Sequence, residues 1–300
     1  MALEAQHDLE KIENHGIRQG LVAELALPGI MKSVALRLLD FYRMSTGNLR
    51  FPIEFPGIAI YRKILRIVAI PQVSGRSGSL VPVEGGFHIF VGINDPSTRR
   101  RWTIAHELGH TYFFDISEPR PVSSFGAGSD FIERLCDEFS SELLMPQWSI
   151  LNTKHLMFEQ FNHASVETDA SRYGVSIQAF FIRLGRLEAF KSTSRFALLF
   201  ENVPNRHSGF ARKLRVTTSL VPRVSGMFVP TNIGFEKLGL RGPESLFQSH
   251  LESLSCEEAV SVWVRGGSGK FVKAIIPCKA SYKCYEGYDH TTIVGLFELQ

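Results

Sequence analysis

The sequence has few cysteines and little net charge. Its 300 residues include four cysteines and carry a formal charge of +3. The cysteines are unevenly spaced and make no disulfide framework, so we expect reduced thiols. A charge so close to zero gives no compositional sign of a nucleic-acid or membrane binder.

The sequence also lacks the long apolar segments that direct a protein to a membrane or hold it there. The opening stretch, "MALEAQHDLEKIENHG", mixes acids, bases and histidines and has no apolar core of a signal peptide. No window approaches about 18 uninterrupted apolar residues. We therefore expect a cytoplasmic protein without a membrane span. A hydrophobic content of 44% and a charged content of 21% are ordinary for globular chains of one to three domains.

The first half of the chain mixes helical and β-like patterns. Residues 1–45 place apolar side chains at helical spacing, and a second helix repeats them every four positions up to Pro146. A further helix, capped by Asp95 or Ser97, carries the stretch "RRRWTIAHELGH". Three short β-like runs precede it, at 66–70, 78–83 and 87–93. These patterns predict an α+β fold.

The second half begins with a helical pair and then turns to strands. Residues 164–190 predict two short helices with a turn at Gly174 and a cap at Ser176, the arrangement of a helix-turn-helix. Strand-like runs dominate after a predicted boundary near 192–194, at 195–200, 226–230, 259–266 and 270–277, and only 242–254 has a helical pattern. We thus predict three parts: a first domain over 1–155, a helix-turn-helix-like segment over 156–192, and a mainly β or α+β domain over 193–300 with a sensor or recruitment role.

Two histidines lie four residues apart on the predicted helix that follows the β-like runs. His106 and His110 share one helix face, so two imidazole nitrogens can bind one cation. Glu107 lies about a quarter-turn away, where it can hydrogen-bond a metal-bound water as a general base. An ordinary polar helix surface is the alternative. Small and apolar neighbours such as Leu108 and Gly109 instead favour an embedded active-site helix.

A catalytic zinc site needs a third protein ligand and one open position. The next helix offers Glu133 and Asp137, which are four residues apart and share one face. Either carboxylate can ligate the metal while the other accepts a hydrogen bond from a ligand imidazole. We favour Glu133 as the ligand and Asp137 as the imidazole's partner, against the alternative of a solvated acidic stripe.

These motifs resemble the ImmA/IrrE family of metallo-endopeptidases, whose ligand set is like that of the gluzincins. The stretch "RRRWTIAHELGH" followed by "ERLCDEFSSELLMP" is similar to that family's R-x-R-F-T-x-A-H-E-L-G-H and E-x-x-A-N-x-F-A-x-x-L-L-M-P. The resemblance covers about residues 87–146 and implies a minimal zincin-like fold of helices and a small sheet. It implies that His106, His110 and Glu133 are the metal ligands and that Glu107 is the base. Residues 1–155 would then be a metallopeptidase domain.

Two positions depart from the family pattern. Cys136 stands where the family usually has alanine, and Asp137 where it usually has asparagine. The first change is conservative in volume, whereas the second adds a charge near the metal. The resemblance also implies that an edge strand beside the histidine helix pairs with extended substrate, and we expect 87–93 to be that strand.

The function implied by the resemblance is zinc-dependent hydrolysis of a peptide bond in a specific partner protein. That partner would be a helix-turn-helix transcriptional repressor. Manganese or iron can replace zinc in a site of two histidines and one carboxylate. The oligomeric state and any binding of DNA stay open at this point.

Two other functions compete with the peptidase. A DNA-binding transcriptional regulator would use 165–190 to present Gln178, Arg183 and Arg186 to the major groove, with a non-catalytic metal site. That helix is strongly apolar, so we prefer a packing role for it. A structural zinc domain for protein interaction is disfavoured because Glu107 would have no duty there.

Overall fold

A computed structural model describes twelve stretches of the chain: 27–71, 78–115, 120–121, 130–153, 161–187, 195–204, 212–220, 227–231, 233–243, 252–265, 270–286 and 291–299. The helices are α1 Leu27–Thr46, α2 Phe55–Ala59, α3 Ser97–His110, α4 Asp130–Leu144, α5 Gln147–Leu151, α6 His163–Tyr173 and α7 Ile177–Leu187. The strands are β1 Ile64–Ile70, β2 Gly78–Val83, β3 Gly86–Gly92, β4 Phe114–Asp115, β5 Arg120–Pro121, β6 Arg195–Pro204, β7 Arg212–Leu220, β8 Met227–Phe228, β9 Ser253–Arg265, β10 Phe271–Glu286 and β11 Thr291–Leu299. The predicted α+β class is confirmed.

Contacts between Cα atoms divide the chain into two compact units. The first contains Met1–Gln147 with Ser171–Val175, and the second contains Trp148–Ala170 with Ser176–Gln300. The second unit therefore groups α7 and most of α6 with the C-terminal sheet. The three-part division remains a prediction, and its boundary near 192–194 lies outside the described residues. The first 26 residues of the predicted helical stretch 1–45 also lie outside them. Among the described helices, none is long and apolar enough to cross a membrane.

The small sheet of the first unit has the order β1-β3-β2, with β3 parallel to β1 and antiparallel to β2. All three predicted runs are strands. The expectation that 87–93 forms the edge strand is wrong, because β3 is central and is buried through Phe87 and Ile89. The edges are β1 and β2, and of these β2 contacts the histidine helix α3. It carries Pro82, and proline is compatible with an edge because it lacks a ladder N–H.

Helix α3 begins after β3 without the predicted cap. Its N-cap residue is Pro96, and no side chain caps the helix, so neither Asp95 nor Ser97 has the predicted role. The Asp95 carboxylate is buried and lies 3.8 Å from Arg99 Nε, one helical turn into α3. A partly buried cation, rather than the free N–H groups of the helix, thus faces this carboxylate.

Helix α4 packs against α1 and α3 through the apolar face that its four-residue spacing predicts. Leu135, Phe139 and Leu143 are buried on that face, and the helix ends before Pro146 as predicted. The approach to α3 is close at Gly109, where an added Cβ would lie 3.1 Å from Phe139 Cδ1 and 3.3 Å from Cys136 Cα. Glycine at this position therefore lets the two helices meet.

The second unit is built on a six-stranded antiparallel sheet with the order β7-β6-β11-β10-β9-β8. Sequence patterns predicted β6, β8, β9 and parts of β10 but missed β7 and β11. Helix α7 packs on β7, where a Cβ added at Gly185 would meet Thr218 and Leu220 at 3.4–3.5 Å. The helix predicted over 242–254 lies mostly outside the described residues, and its end, 253–254, belongs to β9.

The helical pair over 164–190 is confirmed as α6 and α7. Gly174 has φ +65° between them, a left-handed conformation that favours glycine. The Ala179 amide donates to Ser176 Oγ at 3.1 Å, which is the predicted cap at the start of α7. Phe180, Phe181 and Arg183 are all buried on α7.

Candidate metal centre

Helix α3 presents two imidazoles to one point. His106 and His110 lie one turn apart, and their Nε2 atoms are 3.1 Å from each other. Two nitrogens that bind one zinc ion in a tetrahedron are about 3.3 Å apart, given Zn–N bonds of about 2.0–2.1 Å. The spacing of these two atoms therefore fits a shared cation.

Helix α4 contributes a carboxylate to the same point. Glu133 Oε2 lies 2.9 Å from His106 Nε2, and Glu133 Oε1 lies 3.6 Å from His110 Nε2. The structure thus brings together the three residues that the motifs predicted as ligands. Two neutral imidazoles and one carboxylate form a donor set that suits Zn²⁺ and also Mn²⁺ or Fe²⁺.

Asp137 lies on the other side of the His106 ring. Its Oδ1 is 3.0 Å from His106 Nδ1, the nitrogen that faces away from His110 and Glu133. With Nδ1–H donating to this carboxylate, the lone pair of Nε2 faces the shared point. This is the arrangement predicted for Asp137, one turn along α4 from Glu133.

The two imidazoles differ in their acid–base behaviour. Burial, together with the nearby charge of His106, lowers the pKa of His110 to about 4, although the charges of Glu133 and Asp137 oppose the shift. Burial also opposes the charged form of His106, but the hydrogen bond to Asp137 and the surrounding carboxylates outweigh it and raise the pKa of His106. His110 is consequently neutral near pH 7, which is the state that binds metal.

Cys136 belongs to this cluster, which the sequence analysis did not foresee. Donor atoms of Cys136, His106 and His110 all lie within 4.8 Å of one another, and the cysteine is fully buried. Burial, reinforced by the carboxylates around it, raises the pKa of the Cys136 thiol well above its ordinary value. Its three-residue spacing from Glu133 on α4 is the signal that could have placed it here.

Glu107 is directed toward the edge strand β2. It is only 8% exposed, and a Cβ added at Gly78 would lie 3.3 Å from Glu107 Oε1 and 2.8 Å from the Phe90 carbonyl. Its charge raises the pKa of His106, so the carboxylate is electrostatically coupled to the cluster. The predicted base therefore lies between the histidine helix and the face of β2 at Gly78.

A buried arginine holds the end of α3, and sequence reasoning missed it. Arg62 Nε donates to Thr111 Oγ1 at 3.0 Å and Arg62 Nη2 to the Thr111 carbonyl at 3.1 Å. The guanidinium also stacks 3.7 Å from the centre of the Tyr112 ring. Since Thr111 and Tyr112 directly follow His110, these contacts restrain the second histidine.

A comparison with protein-family models agrees with the motifs. Residues 76–185 match the family model described as the IrrE N-terminal-like domain (Peptidase_M78). Among solved structures, a Mycobacterium tuberculosis transcriptional regulator is similar, with 12% identity over 97% of this chain and 94% of that chain and a TM-score of 0.42. No curated protein sequence matches the chain.

Proposed function

Because residues 76–185 form an IrrE N-terminal-like peptidase domain, which confirms the resemblance to the ImmA/IrrE family, we propose that this chain is a zinc-dependent endopeptidase. The domain is that of a metallopeptidase family, and a protein substrate follows from that activity. The observation that carries the proposal is the convergence of His106, His110 and Glu133, with Nε2 to Nε2 and Nε2 to Oε2 separations of 3.1 and 2.9 Å.

In the proposed mechanism, His106, His110 and Glu133 would hold the metal, and Glu107 moves the proton. A bound divalent cation would lower the pKa of a water molecule toward about 7 and polarise the scissile carbonyl. Glu107 accepts the proton from the attacking water and returns it to the departing amine. Asp137 keeps His106 in the tautomer whose Nε2 is unprotonated.

The proposed substrate is a specific partner protein, a helix-turn-helix transcriptional repressor. An unrestricted endopeptidase would damage other proteins around it, which favours a dedicated substrate. The edge strand β2 lies beside Glu107, and its outer side has no neighbouring strand among the described residues. An extended substrate segment can add to β2 and thereby bring its peptide bond close to the base.

The test compares three substitutions for metal content and for cleavage of a co-encoded repressor. We expect Glu107→Gln to keep about one metal ion per chain. The same variant should lose about 10²- to 10⁴-fold in cleavage rate. Glu133→Ala should lose the metal. The control is Asp130→Asn, which changes an exposed acid at the start of the same helix and should keep both the metal and the cleavage activity. A wild type without bound metal, or a Glu107→Gln variant that cleaves normally, would contradict the proposal.

The structure gives less support to a DNA-binding regulator. Arg183, one of three side chains that such a function would use, is 1% exposed, and Gly185 packs α7 closely on β7. These contacts support a packing role for α7. Strongly salt-dependent binding of duplex DNA that Arg186→Gln weakens would reverse this preference.

A further inference from the structure

Among the described residues, one side of β10 has no neighbouring strand over seven of its sixteen residues. It pairs with β9 from Phe271 to Lys283, but with β11 only from Cys278 to Glu286. Among the described residues, no strand lies beside Phe271–Pro277 on the β11 side. We call Phe271–Pro277 the open segment. A strand edge presents free backbone N–H and C=O groups that another strand can pair with.

The open segment also exposes large apolar side chains. Phe271, Val272 and Ile275 are 56%, 59% and 69% exposed, and Phe228 of the neighbouring β8 is 48% exposed. The Phe228 and Phe271 ring centroids are 5.9 Å apart, so the two rings form one patch. Clustered apolar surface at an unpaired edge is typical of a surface that binds another protein.

The charges near the open segment are positive. Lys270 and Lys273 are the charged residues of the stretch 270–277, and Arg265 is the charged residue among the facing positions 259–265 of β9. Lys273 lies 5.9 Å from the Trp263 ring centre, and Glu236 and Lys237 line the same depression with opposite charges. The local charge therefore favours an acidic partner.

Charge also argues against a second copy of this chain as the partner. Antiparallel pairing of two open segments would bring the lysines of both copies onto one short ladder. Like charges at neighbouring cross-strand positions are destabilising. Phe271, Lys273 and Ile275 are each two residues apart and therefore share one face of β10. A partner strand that places an acidic residue between two β-branched residues on that face would cover the apolar side chains and neutralise Lys273.

We propose that the open segment of β10 binds, by strand addition, an extended segment of a partner protein that places an acidic residue between two β-branched residues on one face. The backbone of Phe271–Pro277 supplies the pairing, Phe271 and Ile275 supply apolar contact, and Lys273 selects for acidic residues. This binding lies in the second compact unit and does not depend on the peptidase activity.

The test measures fluorescence anisotropy of a short synthetic peptide built on Val-Thr-Glu-Thr-Val, titrated with the full chain. In an extended chain this peptide places glutamate between two valines on one face. We expect saturable binding that the same peptide with lysine in place of glutamate does not show. Ile275→Asp should weaken binding about tenfold or more because it removes apolar contact. Ile60→Asp, at an equally exposed isoleucine, should change it less than about twofold.

The lysine has its own matched control on the same strand. Lys273→Gln should weaken binding about three- to fivefold, the size expected of an exposed charge pair. Lys279→Gln changes a lysine that stands between Glu298 and Glu257 and has strands on both sides, so it should have little effect. Circular dichroism of all four variants should match the wild type, since each substituted side chain is exposed.

Four outcomes would overturn the proposal. The first is no saturable binding of the acidic peptide, and the second is equal binding of the lysine peptide. A third is concentration-dependent dimerisation that Ile275→Asp abolishes, which would assign the edge to a second copy. The fourth is sedimentation with phosphatidylserine-containing vesicles that Ile275→Asp abolishes, which would assign it to a membrane surface.

Discussion

At the scale of single residues, His106 connects the two helices of the metal centre. One ring nitrogen faces Asp137 and the other faces Glu133, and both acids come from α4. A side chain held at both nitrogens has little freedom to turn. Its orientation therefore depends on α4 as much as on α3.

Substitutions of Asp137 test this orienting role. We expect Asp137→Ala to weaken zinc binding about 10- to 100-fold, because the Nδ1–H of His106 loses its acceptor. Asp137→Asn keeps a carbonyl oxygen and restores the residue usual in the family, so it should lose much less. Competition with a chromophoric chelator measures both affinities. Equal affinity of Asp137→Ala and wild type would contradict the role.

Arg62 is a second residue whose effect is local and strong. Arg62→Gln removes the donors to Thr111 and the stacking on Tyr112. Buried acceptors left without a donor cost about 1–3 kcal/mol, so the free energy of unfolding should fall by that amount. Urea denaturation measures the loss. The exposed Arg43→Gln is the control and should change it by less than about 0.5 kcal/mol; equal stability of the two variants would disprove the structural role.

At the scale of elements, glycines decide how closely the helices of the first unit approach their neighbours. Gly109 admits α4 against α3, and Gly174 turns the chain beside Arg101 of α3. A Cβ at Gly174 would lie 2.6 Å from Arg101 Nε and 3.0 Å from Pro52 Cβ. Both the left-handed backbone and the crowded surroundings therefore require glycine there.

The expected cost of Gly174→Ala is about 1–2 kcal/mol of unfolding free energy from the left-handed conformation alone. Gly29→Ala is the control, because Gly29 lies in α1 with nothing within 4 Å of the added Cβ. Helix propensity predicts that this control gains up to about 1 kcal/mol. Urea titrations of both variants separate the two effects, and a neutral Gly174→Ala would refute the argument.

In the second unit, an ion pair joins α6 to β10. Glu167 Oε1 lies 2.6 Å from Lys283 Nζ and accepts a hydrogen bond from Tyr285 at 2.9 Å. The hydrogen bond from Lys283, together with that from Tyr285, lowers the pKa of Glu167 below its ordinary value of 4.5, although partial burial opposes the shift. The ionised form is thus the one that stabilises the fold.

The pH dependence of stability follows from this direction. The contribution of Glu167 is complete above its ordinary pKa and is lost as the pH falls through the lowered value. Glu167→Gln should therefore be less stable than wild type at pH 7, by less than about 1 kcal/mol because the pair is partly exposed. In urea denaturation, the difference in unfolding free energy between wild type and Glu167→Gln should shrink from pH 7 to pH 3. The control Glu84→Gln, at an exposed position, should have the unfolding free energy of the wild type at every pH.

At the scale of the whole molecule, metal binding and folding are linked. The proposed ligands come from two helices separated by about 20 residues of chain, so the unfolded state does not hold the site. Zinc at 100 times its dissociation constant should raise the free energy of unfolding by about 2.7 kcal/mol. His110→Ala should remove this increase. An equal increase in the variant would show that zinc binds elsewhere.

The local helices and strands and the candidate ligands of the metal centre could be predicted from the sequence alone. A four-residue spacing places His106 and His110 on one helix face whatever surrounds the helix, because the backbone geometry alone decides it. The same reasoning located β1, β2 and β3 and the helical pair around Gly174. In each case the signal is contained in a few consecutive residues.

The order of the strands and the burial of individual side chains depend on the tertiary structure. It placed β3 at the centre of its sheet and left β2 at the edge, added Cys136 to the metal centre, and buried Arg62 and Arg183. These features result from contacts between residues far apart in the chain, and the hydrophobic pattern of a short stretch does not predict such contacts. Long-range packing therefore determined which strand lies beside the base.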